Sequence, residues 1–240
     1  MLTRARNTYR DLFAYPRERI LSDEQEGEYW KARRPDGLSK LRPWQMSRAR
    51  IVESALESSA GPFSIGDIGS GGGAMLRYLK SRLPVSEATA YDNDSASLAD
   101  AEGDGIRAKR IDLRDANAYA DIESADYFLL FEILEHLPRP EILLESLKEK
   151  ARRGIFFSVP NTGYLKHRFR LFFGKVPAQW IVHPGEHLRF WTIRDMRWWL
   201  GAQGFSNYRI IPYRGIPILN KIWPNLFAAG QLVYVPKNEK

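Results

Sequence analysis

The sequence predicts an α/β protein, a sheet of buried strands alternating with helices, and three observations carry that prediction. A short apolar run, Phe63, Ile65 and Ile68, breaks into Gly69, Gly71, Gly72 and Gly73 and passes straight into the amphipathic segment AMLRYLKSRL, which reads as strand, turn and helix. Two later runs, Asp126 to Phe131 and Gly154 to Val159, are apolar almost throughout, as strands covered on both faces are. The stretch between them has helical apolar spacing at Ile142, Leu143 and Leu147 behind Pro140. With 240 residues and 44% apolar content the chain can bury one sizeable core.

Taken in order, residues 1–60 read as a helical extension packed on a domain that spans 61–240. Tyr29 and Trp30 stand beside Lys31, Arg33 and Arg34, a cluster that would flap over a site or cover the sheet edge. Met46, Ala49, Ile51, Val52, Ala55 and Leu56 then space a helix over Trp44 to Glu57. After the glycine turn, Met75, Leu76, Leu79 and Leu83 form one helix face that ends at Pro84. Strands follow at Ala88 to Tyr91 and Ile106 to Ile111. Thr192 and Asp195 have capping-box spacing, and strand-like runs close the chain at Tyr208 to Ile211 and Gln231 to Val235.

The glycine turn points to a ligand. Glycine lets the backbone turn sharply and lets a ligand approach closely. Gly69-x-Gly71-x-x-Ala74, with Asp92 further on, fits the dinucleotide pattern of a nicotinamide enzyme. Asp67, two residues before the first glycine, suits a cationic ligand instead, because a pyrophosphate would be repelled there. Asp92 at its strand end can accept from two ribose hydroxyls, while Asp94 and Ser95 fit a helix cap better. Asp112 could accept from an adenine amino group beside Leu113, or cap the chain locally.

After the fourth strand comes EILEHLPRP. If Glu132 to Leu137 form a helical turn, Glu132, Glu135 and His136 share a face, able to hold a divalent ion or position a proton acceptor. The competing reading makes the acids partners of a helix dipole. Beyond Pro160 a long loop or irregular insert, about 160–190, is rich in Tyr164, Lys166, His167, Arg168, Phe169, Arg170 and Trp180, and ends near His187. A loop of that length after a strand's carboxyl end is usually functional; we read it as an acceptor lid.

Charge separates the halves. From Lys150 onward 15 Lys and Arg stand against 3 acids, a net +12, while the preceding residues carry 21 against 26, a net −5. A basic second half points to an anionic acceptor or to a solvated basic face. The absence of cysteine excludes disulfides, thiolate zinc sites and cysteine nucleophiles, and fits a cytoplasmic protein. No run has the roughly 20 apolar residues of a membrane span, and the first residues lack a signal-peptide core.

Between Ser64 and Phe205 the order DIGSGGG, YDND, RIDL, FEILEHL, GIFFSVPN and HLRFWTIRDM resembles the class I S-adenosylmethionine (SAM)-dependent methyltransferases, most closely the type 11 and MetW-like group. The stretch SVPNTGYLKHRFRLFFGKVP is similar to MetW proteins of methionine biosynthesis. EILEH resembles methyltransferases acting on hydroxyls, such as ubiquinone-pathway and small-RNA 2′-O enzymes, some of which place a metal on an ExxEH helix with a later histidine.

The resemblance implies a Rossmann-like seven-stranded sheet, order 3-2-1-4-5-7-6, with strand 7 antiparallel and helices on both faces. It implies cofactor contacts at Asp67, Gly69, Ser70, Gly71, Asp92, Asn93, Asp112, Leu113 and Phe131, and a metal set of Glu132, Glu135, His136 and His187. The expected reaction moves a methyl group to a small-molecule, glycan or lipid-linked acceptor at oxygen, with His136 or His187 taking the proton. Membrane-surface association and a protein partner are further expectations; nucleic acid is not expected. The alternatives are a MetW-like SAM-binding partner protein of methionine biosynthesis and an NAD-dependent oxidoreductase.

Overall fold

The computed structural model describes residues 41–177 and 187–237. The Tyr29 to Arg34 cluster and Trp180 lie outside them. In chain order the elements are α1 (Pro43–Leu56), β1 (Phe63–Ile68), α2 (Ala74–Lys80), β2 (Val85–Asp92), α3 (Ser95–Glu102), β3 (Arg107–Arg110), β4 (Ala125–Phe131), α4 (Pro140–Lys150), β5 (Ala151–Pro160), α5 (Leu165–Phe172), α6 (Ile193–Ala202), β6 (Arg209–Tyr213), α7 (Leu219–Ile222), α8 (Pro224–Phe227) and β7 (Gly230–Pro236). Short 3₁₀ turns occupy Ala116–Asp121 and Leu134–His136.

The seven strands form one sheet in the order β3-β2-β1-β4-β5-β7-β6. β1 to β5 are parallel, and β7 runs antiparallel to both β5 and β6. This is the expected topology. Alternation along the strands divides the core in two. Phe63, Ile65, Tyr127 and Leu129 face α1, α2 and α3, packing against Val52, Leu76 and Leu98. Ile68, Phe128, Leu130 and Phe157 face α4 and α6, against Leu143, Leu147, Met196 and Trp199.

Local chemistry starts the helices where the sequence places them. Pro43 and Pro140 stand in first turns, where the missing N–H costs nothing. Asp94 accepts from the Ser97 N–H at 3.1 Å, and Thr192 and Asp195 cap α6 reciprocally.

The insert after β5 differs from the expected irregular loop, because α5 forms within it. Leu165, Phe169 and Phe172 stand at i, i+4 and i+7 among Lys166, Arg168 and Arg170, an amphipathic helical spacing, although no apolar residue of α5 is buried and Phe172 is 83% exposed. Asn161, fully buried, anchors this region. Its side-chain amide donates to the carbonyls of Ala228 (2.7 Å), Pro224 and Asn225, and its carbonyl accepts from the Gly163 N–H (3.0 Å).

Candidate active site at the carboxyl ends of the strands

The glycine turn leaves β1 and is clamped to the end of β2, the N–H groups of Gly69 and Ser70 both donating to the Tyr91 carbonyl at 2.8 and 3.1 Å. Gly69 has φ 73°, and a Cβ there would collide with the Ile133 side chain. Glycine is therefore required twice over, by conformation and by space. The Ser70 hydroxyl donates to the Gly71 carbonyl at 3.1 Å.

Asp92, at the end of β2, accepts from the Gly71 N–H at 2.7 Å through Oδ2 and from the Asp94 N–H at 3.0 Å through Oδ1. Each oxygen uses one lone pair on the backbone and keeps another. Asp67, at the end of β1, is 3% exposed. Burial, reinforced by the nearby Asp92 charge, pushes its carboxyl up to about 8, against the pull of Arg48. A carboxyl in that setting ionises readily only when a cation joins it.

Asn93 is exposed, and its carbonyl accepts from Arg110 Nε at 3.2 Å. Leu113 is half-buried with its carbonyl bound by the Tyr119 hydroxyl at 2.7 Å. Asp112 is engaged by Arg114 through Nε at 3.0 Å and Nη2 at 2.9 Å, and these bonds hold its carboxyl below the usual range. Its carboxylate is thus already serving a local ion pair. The half-buried Phe131 ring closes β4, with the Arg48 guanidinium 5.2 Å above it.

Glu132 departs from the expected ExxEH face. Its φ is 58°, so no helical turn spans it, and the 3₁₀ turn begins only at Leu134. The side chain goes to the α1 side of β4, where it meets Arg48 Nη1 at 3.0 Å and accepts from the Ser158 hydroxyl at 2.8 Å and the Tyr213 hydroxyl at 3.2 Å. Arg48 is 2% exposed, donates to Ser158 Oγ at 2.9 Å, and also lies over the Trp44 ring at 4.6 Å. This attraction and burial draw Glu132 away from Glu135 and His136. Sequence reasoning missed Arg48, Ser158 and Tyr213. The available signal was a cation at Arg48, four residues from Trp44 and Val52, inside the inward stripe of α1.

Glu135, His136 and His187 do come together. Their potential ligand atoms lie within 4.8 Å of one another, and the two imidazole rings meet edge to face with centroids 4.8 Å apart. Leu188 and Arg189 donate their N–H groups to the Glu135 carbonyl at 2.7 and 3.1 Å, which brings His187 to the turn. Burial, with His136 and His167 adding like charge, drives the His187 imidazole down to about 3, so it stays neutral. His167 in α5 is lowered to about 4 by burial beside Lys166 and Arg170.

The basic residues of the insert do not act as one group. Arg170 is 1% exposed and donates through Nε to the Val176 carbonyl at 2.9 Å, so it braces the loop after α5. Arg168 is exposed and donates through Nε to the Gly163 carbonyl at 2.6 Å.

These residues fit a ligand with cationic and hydroxyl groups and no phosphate: a buried carboxyl under a bare turn, and a fixed carboxylate with spare lone pairs one strand away. Comparison with known proteins identifies the family and the fold. A family model described as a methyltransferase domain matches residues 17–210. A SAM-dependent methyltransferase from Archaeoglobus fulgidus superposes with TM-score 0.56 at 17% identity, covering 80% of this chain and 97% of that one. Magnesium protoporphyrin IX methyltransferase from Synechocystis, with bound S-adenosylhomocysteine (SAH), gives 0.57 at 14% identity over 99% and 100%. A plantazolicin methyltransferase in complex with a triazolic desmethylPZN analogue and SAH gives 0.62 at 14% identity over 99% of each chain. No curated protein matches the sequence. The dinucleotide reading of the glycine turn is set aside, since the chain belongs to the methyltransferase-domain family and has the fold of its class I SAM-dependent members.

Proposed function

We propose that this chain methylates an oxygen atom of an anionic small-molecule, glycan or lipid-linked acceptor, in the cytoplasm. The methyl comes from SAM, whose sulfonium supplies an electrophilic carbon. In this reading Asp67 and the Gly69–Ser70–Gly71 turn hold the cationic methionine end, and Asp92 and Asn93 take the ribose. Leu113 and Asp112 border the adenine, and Phe131 walls the methyl. Asp112 contributes least, because Arg114 already claims its carboxylate. What remains for the protein is to align the acceptor and keep water out.

The observation that carries the oxygen assignment is the imidazole pair, His136 and His187, 4.8 Å apart between ring centroids beside the buried Glu135. An aliphatic hydroxyl, unlike an amine, must lose a proton as it attacks. His187, held neutral, has one N–H to donate to the acceptor oxygen and so orient it; His136 accepts the hydroxyl O–H and takes its proton as the methyl passes from sulfur to oxygen.

The same cluster favours a second reading. Glu135, His136 and His187 offer one carboxylate and two nitrogens to a divalent ion, which would lower the pKa of an acceptor hydroxyl. Glu132 has no part in that set, being committed to Arg48. The likeness of SVPNTGYLKHRFRLFFGKVP to MetW proteins supports the further alternative of a SAM-binding protein that acts through a partner.

The test is transfer of isotopically labelled methyl from SAM into extract of the source cells, with the labelled product resolved by NMR. Label in a methoxy group is the expected result. Label on carbon or nitrogen overturns the oxygen assignment, and absence of turnover by the purified chain favours the partner reading.

A further inference from the structure

Between β6 and β7 the chain leaves the sheet as the segment 214–229. β7 begins opposite the end of β5, Gly230 pairing with Pro160, so this segment emerges at the carboxyl edge, beside the candidate site. Tyr213, the residue before it, reaches Glu132.

The segment carries apolar side chains that serve no core. Ile218 and Ile222 are each 73% exposed, Trp223 is 54% exposed and Leu219 39%. Neither α7 nor α8 buries a single residue. Ile218 also has φ 69°, a left-handed conformation that a β-branched side chain adopts only under strain. Strain held in place to keep an isoleucine in solvent points to a surface role.

The segment is nonetheless rigid in its attachments. Asn161 binds the carbonyls of Pro224, Asn225 and Ala228, Asn220 Nδ2 donates to the Arg214 carbonyl at 2.8 Å, and Ile216 N–H donates to the Phe227 carbonyl at 3.0 Å.

We infer that the 214–229 segment docks the protein on an anionic lipid surface, inserting Ile218, Ile222 and Trp223 between headgroups. The charge fits: Arg214 and Lys221 flank these residues, and the sequence has no acid from 196 to 238. Isoleucine and tryptophan backed by Arg and Lys is the composition of an interfacial anchor. The protrusion is built on a pair of single-turn helices of four residues each. The inference rests on the proposed lipid-linked acceptor for its purpose, because docking at this edge would present a membrane-borne acceptor to the site. The docking itself is measured without turnover.

The experiment is sedimentation of the full chain with phosphatidylcholine vesicles with and without phosphatidylglycerol. Melting temperature and SAM calorimetry serve as controls. We expect binding at least about tenfold weaker on pure phosphatidylcholine, weakened by salt, and reduced about tenfold by Ile218→Asn with Ile222→Ser at unchanged SAM affinity. Lys221→Glu should weaken binding only on the anionic vesicles. Equal binding to both vesicle types, full binding by the double variant, or a solution dimer that the double variant dissociates would overturn the inference. Failure to bind vesicles alongside intact SAM binding removes the docking and leaves the methyltransferase reading standing.

Discussion

Arg48 and Glu132 meet at 3.0 Å across the gap between α1 and the end of β4, and this pair turns Glu132 away from the turn that carries Glu135 and His136. Ser158 and Tyr213 complete its hydrogen bonds. The pair is therefore structural, and it divides an apparent ExxEH motif into two chemically separate clusters.

Removing either partner leaves a charge in a largely dry site. Glu132→Ala should destabilise the fold by about 3 kcal/mol, because Arg48 then lacks its counter-ion. Arg48→Met combined with Glu132→Gln should cost markedly less than the two single changes added together. Urea unfolding of the four proteins measures the coupling; strict additivity would mean that the pair makes no energetic contact.

Asp92→Ala should weaken SAM binding by about 2 kcal/mol, the loss of charge-assisted hydrogen bonds to the ribose. It also frees the Gly71 N–H, now bound at 2.7 Å. Asp92→Asn, which keeps one acceptor oxygen, should lose less. Isothermal calorimetry with SAM and SAH reads both, and undiminished affinity in the alanine variant would remove Asp92 from the ribose site.

Asp67 makes both stability and binding depend on pH. Its folded value of about 8 lies above the ordinary 3.8, so between those values the folded chain holds a proton that the unfolded chain has released. The stabilisation is complete below about pH 4, declines as pH rises, and is gone above about 8. Asp67→Asn should flatten this slope. A cationic ligand binds the ionised carboxyl, so wild-type SAM affinity should climb from about pH 6 and level off above about 8, while the variant's stays flat. Matching pH profiles for the two proteins would contradict the assignment.

The histidine pair separates base from metal. His136→Ala should lower kcat by about a hundredfold or more with SAM affinity unchanged. If a divalent ion is held by Glu135, His136 and His187, EDTA should reproduce that loss and added metal should restore it. Full activity in EDTA leaves the base reading alone, and normal turnover by His136→Ala ends both.

Much of this is legible in the sequence. The strand, glycine turn and helix at Phe63 to Leu83 are local patterns, as are the Asp94 and Thr192 caps, because each depends on residues a few positions apart. Asp92 is local in the same sense, lying at the end of a strand whose neighbour is set by the parallel sheet. Helix α5 is legible as well, in the i, i+4 and i+7 spacing of Leu165, Phe169 and Phe172; what the sequence does not carry is that this face stays exposed.

What only the tertiary structure decided is the fate of the charged residues. Arg48 reaches Ser158 across 110 positions of sequence, and Glu132 reaches Tyr213 across 81. No local spacing encodes those meetings. His136 and His187 are likewise joined through backbone bonds from Leu188 and Arg189 to the Glu135 carbonyl. Sequence alone determined which residues could ionise and where the strands end. Packing of α1 on one side of β4 and of the 187–190 stretch on its 3₁₀ turn determined which of them meet, because a charge leaving water needs a partner and only the folded chain supplies one.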